Sequence, residues 1–280
     1  MSAALLHEAP ALDAAPARGM RVKGTGLTRT FPRPDGTVLQ ALGPLDLHLR
    51  PGEFFSIIGP SGCGKSTLVD VLSGLAAPDA GTLAADGTAY AGQVPEGVGL
   101  VMQDDASFHW LSVWDNVAFG LRRSGRDAAE VARRVAHALG FMGLADFAQA
   151  RPSHLSGGMR QRMCIARTLV TEPRFLVLDE PFGALDQQTR LLMADELLRL
   201  WRETGATVLM ITHSLDEAAL LSDRIGVMSA RPGRILEVIE TGWPAERDST
   251  LAGTPGFGAI TARLWQRLRG ESLAAMRRPG

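Results

Sequence analysis

The sequence predicts an α/β fold built on a mostly parallel β-sheet. Short apolar runs alternate along the chain with segments in which apolar residues recur at helical spacing. The run 175–178 is apolar at every position, which is typical of a strand that is covered on both faces. Strands that alternate with helices favour parallel pairing, because each helix carries the chain back across the sheet.

Composition restricts the class of protein. The chain has 280 residues, 45% of them hydrophobic and 21% charged, so it can bury a substantial core. Its formal net charge of -1 argues against a general nucleic-acid binder, which usually carries a basic excess. No run reaches the roughly 20 apolar residues that a membrane span needs. The two cysteines, Cys63 and Cys164, give no disulfide framework, which fits a reducing compartment.

The N-terminal part contains two different segments. Residues 1–19 are rich in alanine and proline and lack both a basic n-region and an apolar h-region. They predict a disordered tail rather than a signal peptide. Residues 20–49 predict short strands and turns, with a loop marked by Pro34 and Asp35.

The remaining elements follow in order. The predicted strands are 53–58, 98–102, 175–178, 207–211 and 225–228, and the predicted helices include 65–73, 127–139 and 158–169. The pattern is helical from 112 to about 171, which indicates an inserted helical block. After residue 240 the chain becomes irregular until one short amphipathic helix at 260–269. The sequence contains no internal repeat, so we expect a single unit of this kind.

A glycine-rich loop lies between the strand 53–58 and the helix 65–73. It matches the pattern G-x-x-x-x-G-K-[ST]. Its residues are Gly59, Pro60, Ser61, Gly62, Cys63, Gly64, Lys65, Ser66 and Thr67. Glycines let backbone N–H groups converge on phosphates, Lys65 would reach the β- and γ-phosphates, and the Ser66 hydroxyl would bind Mg²⁺. Lys65 is one of only two lysines in the chain. The alternative is a glycine-rich turn without a ligand.

Two carboxylates follow the buried run 175–178. Asp179 and Glu180 would lie at the carboxyl edge of the sheet, where ligands of α/β proteins bind. Asp179 is the predicted partner of Mg²⁺, and Glu180 is placed to polarise an attacking water as general base. An Asp-Glu pair at this position can also be a plain helix cap. Next to the phosphate loop, the nucleotide interpretation is favoured.

A third motif identifies a family. Residues 155–159 read Leu-Ser-Gly-Gly-Met and are followed by Arg-Gln-Arg. Ser156, Gly157 and Gly158 at the start of a helix would form a second anion cradle, although an ordinary helix N-cap is the alternative. The stretch resembles the signature of the ABC (ATP-binding cassette) family, with Met159 in place of the usual glutamine. In that family two cassettes pair head to tail, so that each signature meets the ATP of the other.

Further positions resemble ABC motifs in the same order along the chain. Gln103 resembles the Q-loop glutamine that touches Mg²⁺ and the water, and Asp186 the D-loop aspartate that crosses the dimer interface. His213 resembles the switch histidine that contacts the γ-phosphate, although a lone histidine at a strand end is often structural. Phe31 is the candidate aromatic residue that stacks on adenine, and a core phenylalanine is its alternative.

The resemblance covers about 20–240 and implies the rest of the architecture. It implies a P-loop NTPase (RecA-like) core with an antiparallel β subdomain and an inserted helical subdomain from about 104 to 162. Residues 241–280 would form a C-terminal extension. ATP would close a dimer of two cassettes, and hydrolysis would reopen it.

The single cassette resembles transport cassettes, and residues 212–218 and 223–228 resemble those of importers. Residues 229–235, together with Met159, resemble the nitrate/sulfonate/taurine importer branch. This implies an ATPase on the cytoplasmic face of the cell membrane. Its partners would be a second cassette, either an identical copy or a different one, transmembrane permease subunits and, indirectly, a substrate-binding protein, with no nucleic acid. The cargo would be a small anion such as nitrate, sulfonate or taurine. The alternatives are a soluble ABC ATPase that drives a non-transport assembly and a non-enzymatic nucleotide sensor, which would have lost the base that Glu180 provides.

Two surface features remain open. Phe108, Trp110 and Trp114 follow Gln103, where a transport cassette receives its membrane partner, but they would also suit packing of the helical subdomain. On the helix 260–269, Arg263, Arg267 and Arg269 lie near Trp265. They would either touch anionic lipid or form a solvated basic face of a helix packed on the core.

Overall fold

The structure is a computed structural model that describes residues 18–104 and 106–276. Within these ranges the strands are β1 Val22–Pro32, β2 Val38–Leu49, β3 Phe54–Ile58, β4 Ala80–Ala85, β5 Thr88–Ala89, β6 Val98–Val101, β7 Phe175–Asp179, β8 Thr207–Ile211, β9 Arg224–Met228 and β10 Ile235–Glu240. The α-helices are α1 Lys65–Ser73, α2 Val113–Arg123, α3 Ala128–Phe141, α4 Gly157–Leu169, α5 Gln187–Thr204, α6 Leu215–Leu221 and α7 Pro255–Met276. The predicted disordered tail lies almost entirely outside the described residues.

A six-stranded sheet forms the centre in the order β10-β9-β3-β8-β7-β6. All neighbours pair in parallel except β10, which is antiparallel to β9. Strands β3, β7 and β8 are buried at every position, as expected for parallel strands covered on both faces. Side chains alternate between the two faces, so that Phe54 and Ile58 belong to one apolar cluster and Phe55 and Ile57 to the other. The predicted α/β class is confirmed.

A second sheet, antiparallel and four-stranded, has the order β2-β1-β4-β5. The prediction of short strands and turns over 20–49 was wrong, because β1 and β2 form one long hairpin of 11 and 12 residues. Register shifts between Gly24 and Thr30 interrupt the regular alternation that would reveal a long strand. The predicted loop is the hairpin turn, in which Asp35 accepts a hydrogen bond from the backbone N–H of Thr37 at 2.9 Å.

Backbone hydrogen bonds join the two sheets near the phosphate loop. Gly233, between β9 and β10, donates its N–H to Ala41 O at 2.9 Å and accepts from the N–H of Gly43 at 3.0 Å. Leu42 and Gly233 form an isolated parallel bridge. This contact fixes β2, and with it the hairpin, against the carboxyl edge of the parallel sheet.

Helices α2, α3 and α4 lie between β6 and β7 and form the predicted helical block. Each begins at a polar cap: Ser112, Asp127 and Ser156 accept hydrogen bonds from the backbone N–H three residues later. Their buried faces join the larger apolar cluster, together with α5 and α6. The subdomain limits of 104 and 162 stay a prediction.

The C-terminal helix is longer than predicted. The sequence predicts 260–269, whereas α7 runs over the 22 residues Pro255–Met276. Glycines at 256, 258 and 270 weaken the local helical signal. Packing compensates, because Leu264 is fully buried and Phe257 and Leu268 are nearly so.

Two basic side chains of α7 form ion pairs with a carboxylate of the central sheet. Arg263 and Arg267 both form ion pairs with Glu237 on β10. This favours the packed basic face over a lipid contact for these two residues. Within the described residues, no helix is long and apolar enough to cross a bilayer.

Candidate functional site

The glycine-rich loop connects β3 to α1 and lines a cavity of about 420 Å³, which we call the phosphate-side cavity. Six of its residues face this space: Ser61, Gly62, Gly64, Lys65, Ser66 and Thr67. Gly64 has a φ of 110°, and a Cβ atom there would lie 2.6 Å from Ala41 O. Only glycine fits both constraints. The first turn of α1 therefore presents its free backbone N–H groups to a space that suits phosphate groups.

Lys65 is held by the loop itself. Its Nζ atom donates to Gly59 O at 2.9 Å and to Pro60 O at 3.0 Å. Cys63 is buried under the loop, with its Sγ atom 4.0 Å from Lys65 Nζ, and burial raises the pKa of its thiol. Gly59, Pro60 and Cys63 do not line the phosphate-side cavity, although Gly59 and Pro60 hold the Lys65 side chain that does.

The opposite wall is acidic. Asp179 ends β7 and is only 7% exposed, and its carboxylate accepts a hydrogen bond from the Ser66 hydroxyl. Burial, and then the neighbouring charge of Glu180, raise the pKa of Asp179 to about 6. Glu180 follows in a left-handed conformation with a φ of 48°, which a non-glycine residue rarely adopts. Both carboxylates line the same cavity as Lys65 and Ser66.

Three side chains predicted to be catalytic converge at one oxygen atom. Glu180 Oε2 accepts from Gln103 Nε2 at 3.1 Å and lies 3.2 Å from His213 Nδ1. Gln103 follows β6, Glu180 follows β7 and His213 follows β8. Because these strands are parallel neighbours, their carboxyl ends bring three residues distant in sequence to one point. The His213 side chain is 66% exposed and reaches out from the sheet edge.

Phe31 stands at the far end of the cavity on the hairpin sheet. Its side chain is 40% exposed, and the Arg29 guanidinium lies 5.4 Å from the ring centroid. It is therefore not a core phenylalanine. Leu39, its register partner on β2, also lines the cavity. Phe31 therefore lies in the wall of the cavity that the phosphate loop lines.

Sequence reasoning missed three lining residues: Leu39, Ala41 and Arg231. Recognition of the β1–β2 hairpin would have placed Leu39 opposite Phe31. Arg231 donates its Nε–H to Gly62 O at 3.0 Å, from the loop between β9 and β10. Because Arg231 and Gly62 are 169 residues apart, no local sequence pattern indicates their contact.

The signature residues and the D-loop aspartate lie elsewhere in the chain. Ser156 accepts from the Met159 N–H at 3.3 Å and caps α4, and Asp186 accepts from the Thr189 N–H at 2.9 Å and caps α5. Both therefore do what an ordinary N-cap does. Gly157 and Gly158 begin α4, and none of these four residues lines the phosphate-side cavity.

The oxygen donors at the acidic wall suit a magnesium ion. The Ser66 hydroxyl, the Asp179 carboxylate and the Gln103 amide are hard oxygen ligands of the kind that Mg²⁺ prefers. The buried Asp179 carboxylate, whose pKa is raised, is a group that a cation would favour in its charged form. Across the described ranges there is no cluster of three or more His, Cys, Asp or Glu side chains suited to a metal. Phosphate oxygens and water molecules would complete the coordination.

Comparison with known proteins gives a consistent result. Residues 42–183 match the family described as ABC transporter. The taurine import ATP-binding protein TauB of Ruegeria pomeroyi is 46% identical over 209 residues, which are 75% of this chain and 78% of that protein. The corresponding protein of Roseobacter denitrificans is 45% identical over the same shares.

A solved structure agrees with this match. The ATP-binding cassette MJ0796, described as a dimer in a post-hydrolysis state bound to ADP and Pi, superposes with a TM-score of 0.71 at 29% identity. The superposition covers 78% of this chain and 98% of that one.

Proposed function

This chain belongs to the ABC transporter family of ATP-hydrolysing proteins, and from that premise we propose that it energises a membrane importer of a small anion such as taurine, a sulfonate or nitrate. The observation that carries the ATPase part is the convergence of Gln103 and His213 on Glu180, beside the phosphate loop. The import part is supported by relatives of about 45% identity that are named for taurine import.

The site residues divide the work on ATP. The loop around Gly62 and Gly64 receives the phosphates, Lys65 offsets their charge, and Phe31 stacks on the adenine. Glu180 takes up a proton from the attacking water, acting as general base. His213 and Gln103 hold the Glu180 carboxylate and are within reach of the same water and the γ-phosphate.

Magnesium fits this arrangement. Ser66, Asp179 and Gln103 would hold the ion together with phosphate oxygens, and the bound ion would neutralise the charge that develops on the phosphates.

Two copies of the chain would act together. The signature residues Ser156, Gly157 and Gly158, with Asp186, do not line the phosphate-side cavity of their own chain. The similar cassette MJ0796 is described as a dimer. In a pair of identical cassettes, each signature would cap the ATP bound to the other copy and complete two sites.

An aromatic cluster on the helical block is our candidate for the membrane-subunit contact. The ring of Phe108 lies 5.4 Å from that of Trp110 and 4.7 Å from that of Phe119, measured between centroids. Trp110 is 68% exposed and Phe119 is 40% exposed, whereas Trp114 packs against the core. Trp114 therefore packs within the helical block, whereas the exposed rings of Trp110 and Phe119 remain available to a partner.

Two side chains hold the backbone and ring of Phe108 at the base of this cluster. The Asn116 side chain is buried and accepts from the Phe108 N–H at 2.8 Å while donating to Phe108 O at 3.1 Å. The Arg167 guanidinium lies 4.9 Å from the Phe108 ring centroid and donates to Ala106 O. Rings that are fixed before binding lose little conformational entropy when a partner docks.

In this proposal the chain is a peripheral subunit at the cytoplasmic face of the membrane. It lies beneath permease subunits, which receive cargo from a substrate-binding protein. The relatives named above favour this over a soluble ABC ATPase that drives a non-transport assembly. The presence of Glu180 argues against a non-enzymatic nucleotide sensor.

Co-expression with the genomic neighbours tests the proposal. We expect a multispanning protein to co-purify, and turnover in liposomes to depend on a soluble binding protein loaded with ligand. Taurine, an alkyl sulfonate and nitrate would be compared as ligands. A chain that stays soluble and whose turnover is stimulated by another macromolecule would contradict the import part and leave the ATPase chemistry intact.

A further inference from the structure

Gln161, on the second turn of α4, contacts the loop that carries the catalytic glutamate. Its Nε2 atom donates to Glu180 O at 3.1 Å, and its Oε1 atom accepts from the Ala184 N–H at 3.3 Å. A single amide side chain thus joins Glu180, the first residue after β7, to Ala184 in the same loop before α5. The amide is suited to this because it offers one donor and one acceptor at its end.

The backbone of Glu180 depends on such contacts. Its φ of 48° is unfavourable for a residue with a side chain, so surrounding interactions must hold it. The Glu180 N–H donates to Ile211 O at 2.9 Å, and Glu180 O accepts from the Gly183 N–H at 3.1 Å as well as from Gln161. Gln161 is the side-chain contribution to this set, and it comes from a different element.

Backbone orientation determines where the carboxylate points. Rotation of the peptide unit of Glu180 would move its Oε2 atom away from Gln103 and His213. A displacement of about 1 Å at a reacting group can lower a rate by about 100-fold. Gln161 does not line the phosphate-side cavity and has no described contact with the phosphate loop. An effect of Gln161 on catalysis would therefore be indirect, through the loop residues Glu180 and Ala184 that it contacts.

We propose that Gln161 is a positioning residue that holds Glu180 in its catalytic orientation from the helix that begins with the signature. The inference rests on the proposed role of Glu180 as general base. It adds a connection within one chain. The N-cap of α4, Ser156, would meet the ATP of the partner, and the second turn of α4 contacts the glutamate that acts on the chain's own ATP.

The test uses the full chain with Gln161→Met, which keeps the length of the side chain and removes both hydrogen bonds. Gln161→Glu keeps an acceptor for the Ala184 N–H and removes the donor to Glu180 O. Gln93→Met, at an exposed position, is the matched control. We measure kcat, the KM for ATP, the affinity for ATP and the melting temperature.

We expect both Gln161 variants to lower kcat by about 10- to 100-fold, with the KM and the affinity for ATP within about twofold of the unmodified chain. The control should match the unmodified chain. A kcat within twofold of the unmodified chain would overturn the inference. A loss of ATP affinity or of folding that accounts for the lower rate would also overturn it, because a merely structural role predicts that result.

A double-mutant cycle separates this inference from the proposed function. In the Glu180→Gln background, Gln161→Met should have no further effect on single-turnover hydrolysis, since the group that it positions is gone. An equal loss in both backgrounds would remove Gln161 from the positioning of Glu180. If Glu180→Gln alone retains full turnover, the proposed role of Glu180 fails. If Glu180→Gln is inactive and Gln161→Met is fully active, only the present inference fails.

Discussion

The Nδ1 atom of His213 lies 3.2 Å from the Oε2 atom of Glu180, the oxygen that also accepts a hydrogen bond from Gln103. The two residues follow neighbouring parallel strands, so the sheet itself sets their separation. A carboxylate in contact with a histidine and an amide is fixed in direction before ATP arrives. Pre-organisation of this kind is what a general base requires.

Replacement of this carboxylate should separate binding from hydrolysis. We expect Glu180→Gln to lower kcat by about 100-fold or more while ATP binding is preserved, because the amide cannot accept the proton. Without hydrolysis the ATP-bound pair should persist, and size-exclusion chromatography with ATP would show a stable dimer. Glu96→Gln, at an exposed position, is the control. Undiminished turnover in Glu180→Gln would remove Glu180 from the mechanism.

Phe31 should contribute to nucleotide affinity and not to the chemical step. Stacking of a base on an aromatic ring contributes about 1–3 kcal/mol, so Phe31→Ala should weaken ATP binding by about 5- to 150-fold. At saturating ATP, kcat should change little. Equilibrium binding of a fluorescent ATP analogue measures the effect. Phe147→Ala is the matched control, since Phe147 is 41% exposed and does not line the cavity. Equal affinities of the two variants would exclude the stacking role.

The exposed aromatic cluster should be needed for assembly with the membrane subunit. We expect Phe108→Ala combined with Trp110→Ala to abolish co-purification, while the free cassette keeps its ATP affinity and melting temperature. Phe108 is half-buried, so Trp110→Ala alone serves as the variant that preserves folding. Leu236→Ala, which alters an exposed residue on β10, should assemble normally. Continued co-purification of the double variant would refute this docking surface.

The buried carboxylate of Glu217 should make stability depend on pH. Burial raises the pKa of Glu217 above its usual value of 4.5, although the Thr212 hydroxyl and Arg190 oppose the shift. Above pH 4.5 the folded state therefore binds more protons than the unfolded chain, and this group lowers the free energy of unfolding as pH rises. Glu217→Gln should remove that slope, which urea titrations between about pH 4.5 and 7 would measure.

Glu237 provides the comparison of opposite sign. Its pKa is lowered by the Arg263 and Arg267 side chains, so its stabilising effect is present above pH 4.5 and lost as pH falls. Glu237→Gln should therefore remove a contribution to the free energy of unfolding that increases as pH rises. Identical pH profiles for the two variants would contradict the roles assigned to these carboxylates.

The docking of α7 should contribute measurably to stability. Leu264 is fully buried between α7 and the core, and Leu→Ala changes at such sites lower the free energy of unfolding by about 2–5 kcal/mol. Leu273, on the same helix, is 47% exposed, and its replacement by alanine should cost no more than about 0.5 kcal/mol. Urea denaturation of the two variants compares them directly. Equal midpoints would show that α7 is not part of the cooperative fold.

Local patterns predicted the central elements well. The helix 65–73 and the strand 207–211 coincide with α1 and β8, because a motif of fixed spacing begins the first and an uninterrupted apolar run forms the second. The prediction failed where the length of an element depends on contacts with distant parts of the chain. The ends of α7 depend on Phe257 and Leu268 packing on the core, and the length of β1 is hidden by its register shifts.

The same division applies to the site. Lys65, Asp179 and Glu180 are recognisable because each lies in a short motif beside a strand. Arg231 and Gln161 are not, because their partners lie in other parts of the chain. Their contacts are with backbone carbonyl and N–H groups, which leave no complementary residue type in the sequence.

The cavity has walls from both sheets, and this separates two properties of the protein. Phe31 and Leu39 belong to the hairpin sheet, whereas the loop at Lys65 and the carboxylate of Glu180 belong to the parallel sheet. Substitutions in the hairpin should therefore change the affinity for the nucleotide without altering the side chains that act on the phosphate. Affinity and hydrolysis rate could then vary independently, because different layers of the fold carry them.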